Sequence, residues 1–399
     1  MPRLFRAFPF LLVFAGLLLV LLPSRGASVP LFAARTGLQC GTCHFDPNGG
    51  GARNEFGFAY AKNRHSLEAE ADGEFKDLAL RNRVGDDLPL YFGVNQRFML
   101  LADHREIGDL PDASGFFNME SGLHVTFQPV SRLTLAYSTL TSPSGLASTR
   151  DAWGMIGMGP HYLKAGQFRV PFGLRMDDHT VATRNSFLDY YGGGRFLPYD
   201  PHFSDRGVEF GATHGSMFGR ASWTNGVSAQ GANPPADGKH PQALTAKLGY
   251  AAPRYQGAVS VYDEFHQTGG RGVRSSRWGY YGMANAGKFA LLGEAAAGTD
   301  KRETAGGPVA TNQLAYWVEV DYTPHRQYNV RARYDHLELD RSTQQASYNR
   351  YSIEGEYQPL PFAEIRWTLR MIDPVAERNT FDEVRESEKQ GYIQFHFSY

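Results

Sequence analysis

The sequence predicts an all-β protein: an antiparallel barrel of about 16 strands of the outer-membrane type, preceded by a small segment of helix and loop. Three observations predict it. From Leu90 onward, apolar and polar residues alternate with period two. Connections between the alternating runs are short and long by turns. The chain closes on the amphipathic run Ile393-Gln394-Phe395-His396-Phe397-Ser398-Tyr399, which resembles the assembly signal of such barrels.

The alternation is clearest towards the C-terminus. Tyr316, Val318, Val320 and Tyr322 alternate with Trp317, Glu319 and Asp321. Tyr328, Val330, Ala332 and Tyr334 alternate with Asn329, Arg331, Arg333 and Asp335. Tyr351 and Ile353 face away from Ser352, Glu354 and Glu356, and Ile365, Trp367, Leu369 and Met371 from Glu364, Arg366, Thr368 and Arg370. A soluble sandwich would also alternate; the connections argue against it. Short turns fall at 128–130, 159–161, 215–216, 252–254, 323–325 and 359–361. Longer polar stretches fall at 103–116, 141–150, 172–205, 226–241, 265–275, 299–310, 340–346 and 373–388. An even strand number puts both ends on one side of the membrane, and about 19 residues per strand and connection suits spans of about 9–11 residues. A barrel of this count encloses an aqueous lumen. Lys164, Gln167, Arg169, Glu209, Glu319, Arg331, Arg333, Glu354, Glu356, Arg366 and Arg370 are expected to line it as a wet wall.

Composition agrees. The 399 residues carry a formal net charge of -1, which gives no basic excess for a nucleic-acid partner. Aromatics reach 13% and mean hydropathy is -0.40, unlike a bundle of membrane helices. The only long apolar run is N-terminal. Arg3 and Arg6 precede Ala7 to Leu22, and small or turn-forming residues follow to Ser28, as in a signal peptide cleaved near Gly26 or Ser28. An uncleaved inner-membrane anchor is the alternative. The expected division is a signal peptide at 1–27, a small segment with its connector at 28–87, and the barrel at 88–399.

The small segment holds both cysteines, in Cys40-Gly41-Thr42-Cys43-His44. C-x-x-C-H is the attachment pattern of c-type haem: two thiols at the spacing of the vinyl groups, then an imidazole beneath the iron. A redox C-x-x-C pair would be expected beside a βαβ unit, and none is visible. A zinc site needs four ligands, and this region offers two Cys, His44 and His65. A Cys40–Cys43 disulfide leaves His44 without a role. Leu31, Phe32 and Leu38 can cover a haem face. Asp46 to Gly51 reads as a turn, and Arg53 or Asn54 opens a helix running to about His65 with Phe56 and Tyr60 on its inner face.

His65 is the only other histidine of the segment, and no methionine lies between Pro2 and Phe98. His65 is therefore the local candidate for the sixth iron ligand; an open site, or Met99, His104 or Met119 from the barrel, are the alternatives. The long stretch 172–205 carries Asp177, Asp178, His179, Asp189, Asp200 and His202. It could fold inward and hold a passing ferrous ion, but its spacing is not diagnostic and the expected form is a solvated surface loop.

An exported monohaem segment joined to a porin-sized barrel resembles the fused cytochrome–porin family of the bacterial outer membrane, best known as iron oxidases. The matching residues are Val29-Pro30-Leu31-Phe32-Ala33, Cys40 to His44, and Asn54-Glu55-Phe56-Gly57. The Asp46–Gly51 stretch departs from that family's pattern, and Gly166 to Leu174 looks like a stretch of phosphate-selective-type porins. The resemblance implies one covalently attached haem c. It implies electron transfer between an extracellular donor or acceptor, Fe(II) among the donors, and a periplasmic c-type cytochrome or other carrier, within outer-membrane lipid. A diffusion porin for small solutes or anions, with the haem segment as plug or redox gate, is the alternative.

Overall fold

The computed structural model describes residues 30–67, 80–85, 87–105, 113–141, 147–174, 181–184, 204–226, 243–268, 271–344, 347–376 and 387–399. The expected signal peptide lies outside them. Sixteen antiparallel strands, β1 (Leu90–Arg105) through β16 (Glu388–Ser398), form one closed barrel in which each strand pairs with its sequence neighbours and β16 pairs with β1. The seam is finished by Val94 and Tyr399, which exchange two backbone hydrogen bonds of 2.9 Å.

The barrel is apolar outside and charged inside. Leu163, Val208, Val318, Val320, Ile353 and Leu369 are exposed on the outer face, whereas Lys164, Glu209, Glu319, Arg333 and Glu354 are buried on the inner one. This is the arrangement of a wall with lipid behind it. The inner face is not the wet wall expected from sequence. Arg331 pairs with Glu354 and Glu356, Arg333 with Glu319, Asp335 and Glu354, and Arg350 with Asp335, all nearly inaccessible to solvent.

Two expected loops are strand instead. β9 (Tyr255–Thr268) and β10 (Arg271–Ala286) run through 265–275, and β11 (Phe289–Thr304) and β12 (Gly307–His325) run through 299–310. Past the apolar band both faces of a hairpin can be polar, so the alternation fades while the ladder continues.

The lumen is occupied. Three short helices, α1 (Pro30–Thr36), α2 (Cys40–Cys43) and α3 (Glu55–Lys62), form a plug at the end of the barrel that carries the short turns. Ala33 and Ala34 of α1 are buried in a cluster with Met283, Leu292 and Trp317. Asn285 Nδ2 donates to Ala34 O at 2.6 Å, and Arg35 reaches Asp321 at 3.5 Å. Across the lumen, Arg53 Nη1 donates to Ser398 O at 2.6 Å. Phe58 packs on Phe362 and Tyr399. The helix therefore buries Phe58 and Tyr60 and leaves Phe56 exposed, against the expectation for Phe56, because its core is the barrel's own aromatic floor.

After β5 (His161–Phe168) the described pieces 171–174 and 181–184 turn inward, unlike the surface loop expected there; the rest of 172–205 up to residue 203 lies outside the described residues. Phe172 is fully buried, and Gly173 N donates to Ser260 Oγ of β9 at 3.1 Å. A 3-10 turn, Ala182–Arg184, reaches the opposite wall. Ala182 N donates to Asp335 Oδ1, Trp317 Nε1 to Thr183 Oγ1, and Arg184 pairs with Glu294 at 3.0 Å. Phe172 and Ala182 join Tyr262, Leu337 and Tyr348 in an apolar layer inside the barrel. The ion-holding candidates Asp177 to His179, Asp189, Asp200 and His202 lie outside the described residues, and no cluster of three metal-binding side chains occurs among the described ones.

Candidate functional site

Cys40 and Cys43 span the single turn of α2, and His44 N closes it by donating to Cys40 O at 2.9 Å. Both thiols are free. Burial pushes the Cys40 thiol up to about 11, against the lowering fields of Lys247 and Arg220; burial also raises Cys43. The loop from Asp46 to Gly51 is held open by Gly49, Gly50 and Gly51, all in the left-handed region. Gly50 has a φ of 79°, which strains any side chain, and a β-carbon there would also meet Arg169 Nη2.

The resemblance rested partly on Asn54-Glu55-Phe56-Gly57, and the fold gives two of these residues a physical task. Asn54 caps α3 by accepting from Gly57 N at 2.9 Å, while its Nδ2 donates to Thr42 O at 3.0 Å. One side chain thus starts α3 and ties it to the cysteine turn. Gly57 lies so close that a β-carbon would fall 2.0 Å from Cys43 O.

α3 ends where Arg64 N donates to Ala61 O and His65 N to Tyr60 O, with Arg64 and His65 both at positive φ. Such a conformation in two adjacent non-glycine residues marks a constrained position. The His65 ring stacks on Phe32 with centroids 4.1 Å apart and planes 10° from parallel, and meets Tyr60 edge-on. Burial, with Arg53 nearby, pushes its imidazole down to about 3, so the ring is neutral. Its Nε2 is shielded from solvent and has no hydrogen-bond partner. Its Nδ1 lies 3.1 Å from Gln358 Nε2, which also donates to Glu356.

His44 and Phe45 border a cavity of about 200 Å³ against Gln128, Thr134 and Met155 of the wall. His124 of β2 (Ala113–Val130) is a residue that sequence reasoning missed. It bonds Ser138 Oγ at 2.8 Å and lies within electrostatic range of His44. Its only sequence signal is an inward place in a strand. The chemistry of these donors fits a c-type haem: two thiols and an imidazole in the attachment spacing, and a neutral buried imidazole whose Nε2 is unengaged.

No protein-family model matches the chain, and no curated protein matches it. Solved structures do. The chain is similar to OmpTdeltaL8, a loop L8 deletion mutant of the outer membrane protein OmpT of Vibrio cholerae, at 14% identity and TM-score 0.54, over 79% of this chain and 100% of that one. It is similar to a porin refined at 1.8 Å resolution, at 13% identity and TM-score 0.52, over 78% and 100%. It is also similar to Salmonella typhi OmpF in complex with daunomycin, at 10% identity and TM-score 0.54, over 78% and 98%. The fold is that of the outer-membrane barrel porins.

Proposed function

We propose that this chain is a bacterial outer-membrane electron-transfer protein, holding one c-type haem on Cys40, Cys43 and His44 inside its barrel. The observation that carries the reading is the place of the cysteine turn: within the lumen, braced by wall side chains, with a second inward segment behind it. A diffusion pore works through an open lumen, and the described residues place a plug and an inward segment in this one. Lipid insulates, so a redox group set into the wall's interior shortens the gap an electron must cross. The donor outside is Fe(II) or a reductant of similar potential, and the acceptor is a periplasmic cytochrome or other carrier.

When bound, haem supplies one-electron chemistry between ferrous and ferric iron. The chain's own residues do the rest. Cys40 and Cys43 would provide the thioether sulfurs and His44 one iron ligand. His65 would be the local candidate for a second. To bind iron through Nε2 the ring would carry its proton on Nδ1, where Gln358 could accept it by presenting Oε1. Phe32 and Tyr60 hold the ring plane and exclude water.

The test is reconstitution into liposomes and planar bilayers. Fe(II) added outside is expected to reduce the haem and then a cytochrome c trapped inside, with little ion conductance. Large, haem-independent conductance without haem reduction by outside donors overturns the reading in favour of a diffusion porin.

A further inference from the structure

A second cavity, of about 60 Å³, lies where the plug, the inward segment and the wall meet. Cys40 and Asn48 border it from the plug, Gly173 from the inward segment, and Arg220, Lys247 and Tyr281 from the wall. Arg220 and Lys247 are both at least nine-tenths buried. Among the described residues neither pairs with a carboxylate. Arg220 Nη1 donates to Ala212 O and Gly219 O, and Nη2 to Thr213 Oγ1. Its plane lies between the rings of Tyr162 and Phe218. Its Nε is buried with no partner. Lys247 Nζ donates to Gly173 O at 2.8 Å, which leaves two of its three protons.

The neighbouring acids are engaged elsewhere. Asp46 and Glu209 share Lys164, and Glu294 pairs with Arg184. Two buried cations bonded only to neutral oxygens carry a desolvation cost that an anion would offset. Arg220 and Lys247 both line the cavity, and buried cations without a charged partner call for an acceptor.

We propose that Arg220 and Lys247 form a carboxylate-binding site that clasps an anionic group between plug and wall. The Arg220 guanidinium and the Lys247 ammonium are its cationic groups, and the cavity between them has room for a small anionic group. Two sources share this chemistry: a free small carboxylate, or a propionate of the haem. The site itself does not depend on the electron-transfer reading; the propionate source does.

The experiment compares haem-loaded wild type, the full-length C40A/C43A chain, and the R220Q/K247Q form of the loaded protein, all in detergent. Thermal melting is followed against sodium acetate, with sodium chloride as control, and the haem potential is measured where haem is present. With a free anion as occupant, acetate raises the melting temperature of loaded wild type saturably, and R220Q/K247Q loses the effect. With a propionate as occupant, loaded wild type ignores acetate, C40A/C43A responds to it, and R220Q/K247Q lowers the haem potential. If acetate stabilises neither wild type nor C40A/C43A and R220Q/K247Q leaves the potential unchanged, the site is overturned. Should the double variant fail to fold, Lys247→Gln alone is read against the same outcomes. A chain that takes up no haem defeats the proposed function, while the acetate series still decides the site.

Discussion

Lys164 Nζ lies 3.1 Å from Asp46 Oδ2, and the same ammonium lies 3.1 Å from Glu209 Oε1. One fully buried wall lysine thus ties the loop after the cysteine turn to β6 (Asp205–His214). Asn48 and Tyr162 add donors to Glu209, at 2.8 and 2.6 Å. Removing one partner of a buried ion pair costs about 3–5 kcal/mol, because the other charge stays buried and unpaired. Lys164→Met is expected to loosen the plug while the barrel persists. Limited proteolysis should cut near residues 46–51 faster, and single-channel conductance should rise. Unchanged cleavage and conductance would show that the tie does not hold the plug.

Gly57→Ala places a methyl carbon 2.0 Å from Cys43 O and must push α3 off the cysteine turn. Haem incorporation, read from the Soret band per mole of protein, should fall several-fold. Asn54→Ala should fall less, since a lost cap costs about 0.5–2 kcal/mol and leaves the packing in place. Equal incorporation in both variants and wild type would sink this account of the motif.

His65 and His124 are separable by spectroscopy. His65→Ala is expected to convert a low-spin haem to high spin and raise its potential, because bis-histidine ligation favours the oxidised state relative to an open site or a methionine. His124→Ala should leave the spin state alone. The opposite result would transfer the sixth ligand to the wall of the barrel.

Acid should release the plug. The folded His65 lies well below the ordinary histidine value of 6.5, so the unfolded or undocked segment binds the extra proton. The stability contributed by the neutral ring is fully present above about pH 6.5 and is lost as pH falls towards 3. Protease accessibility of the plug, followed between pH 8 and 4, should increase through this window. In His65→Phe the increase should be weaker, and an identical profile there would rule out the assignment.

Much of the fold was legible in the chain because a barrel wall has one lipid face. Leu369 between Thr368 and Arg370 reports its own orientation, and every strand repeats the lesson. The turn at 46–51 and the start of α3 at Asn54 were also legible, since each is local. What the plug rests on was not. Asp46 and Lys164 stand 118 positions apart, and Arg53 and Ser398 stand 345 apart, so no window of sequence joins them. The same blindness hid the inward placement of Phe172–Leu174 and Ala182–Arg184. Ala182, Thr183 and Arg184 suited water equally well until Asp335, Trp317 and Glu294 supplied partners in the wall.

The contact of Phe58 and Arg53 with Tyr399 and Ser398 bears on how such a molecule is made. The residues that fasten α3 lie at the strand that closes the wall. Tyr399 also forms the final rungs between β16 and β1. The full clasp on the N-terminal segment exists only once the circle of strands is complete. Assembly thereby acquires an order: the segment stays unfastened until the strand that finishes the wall secures it.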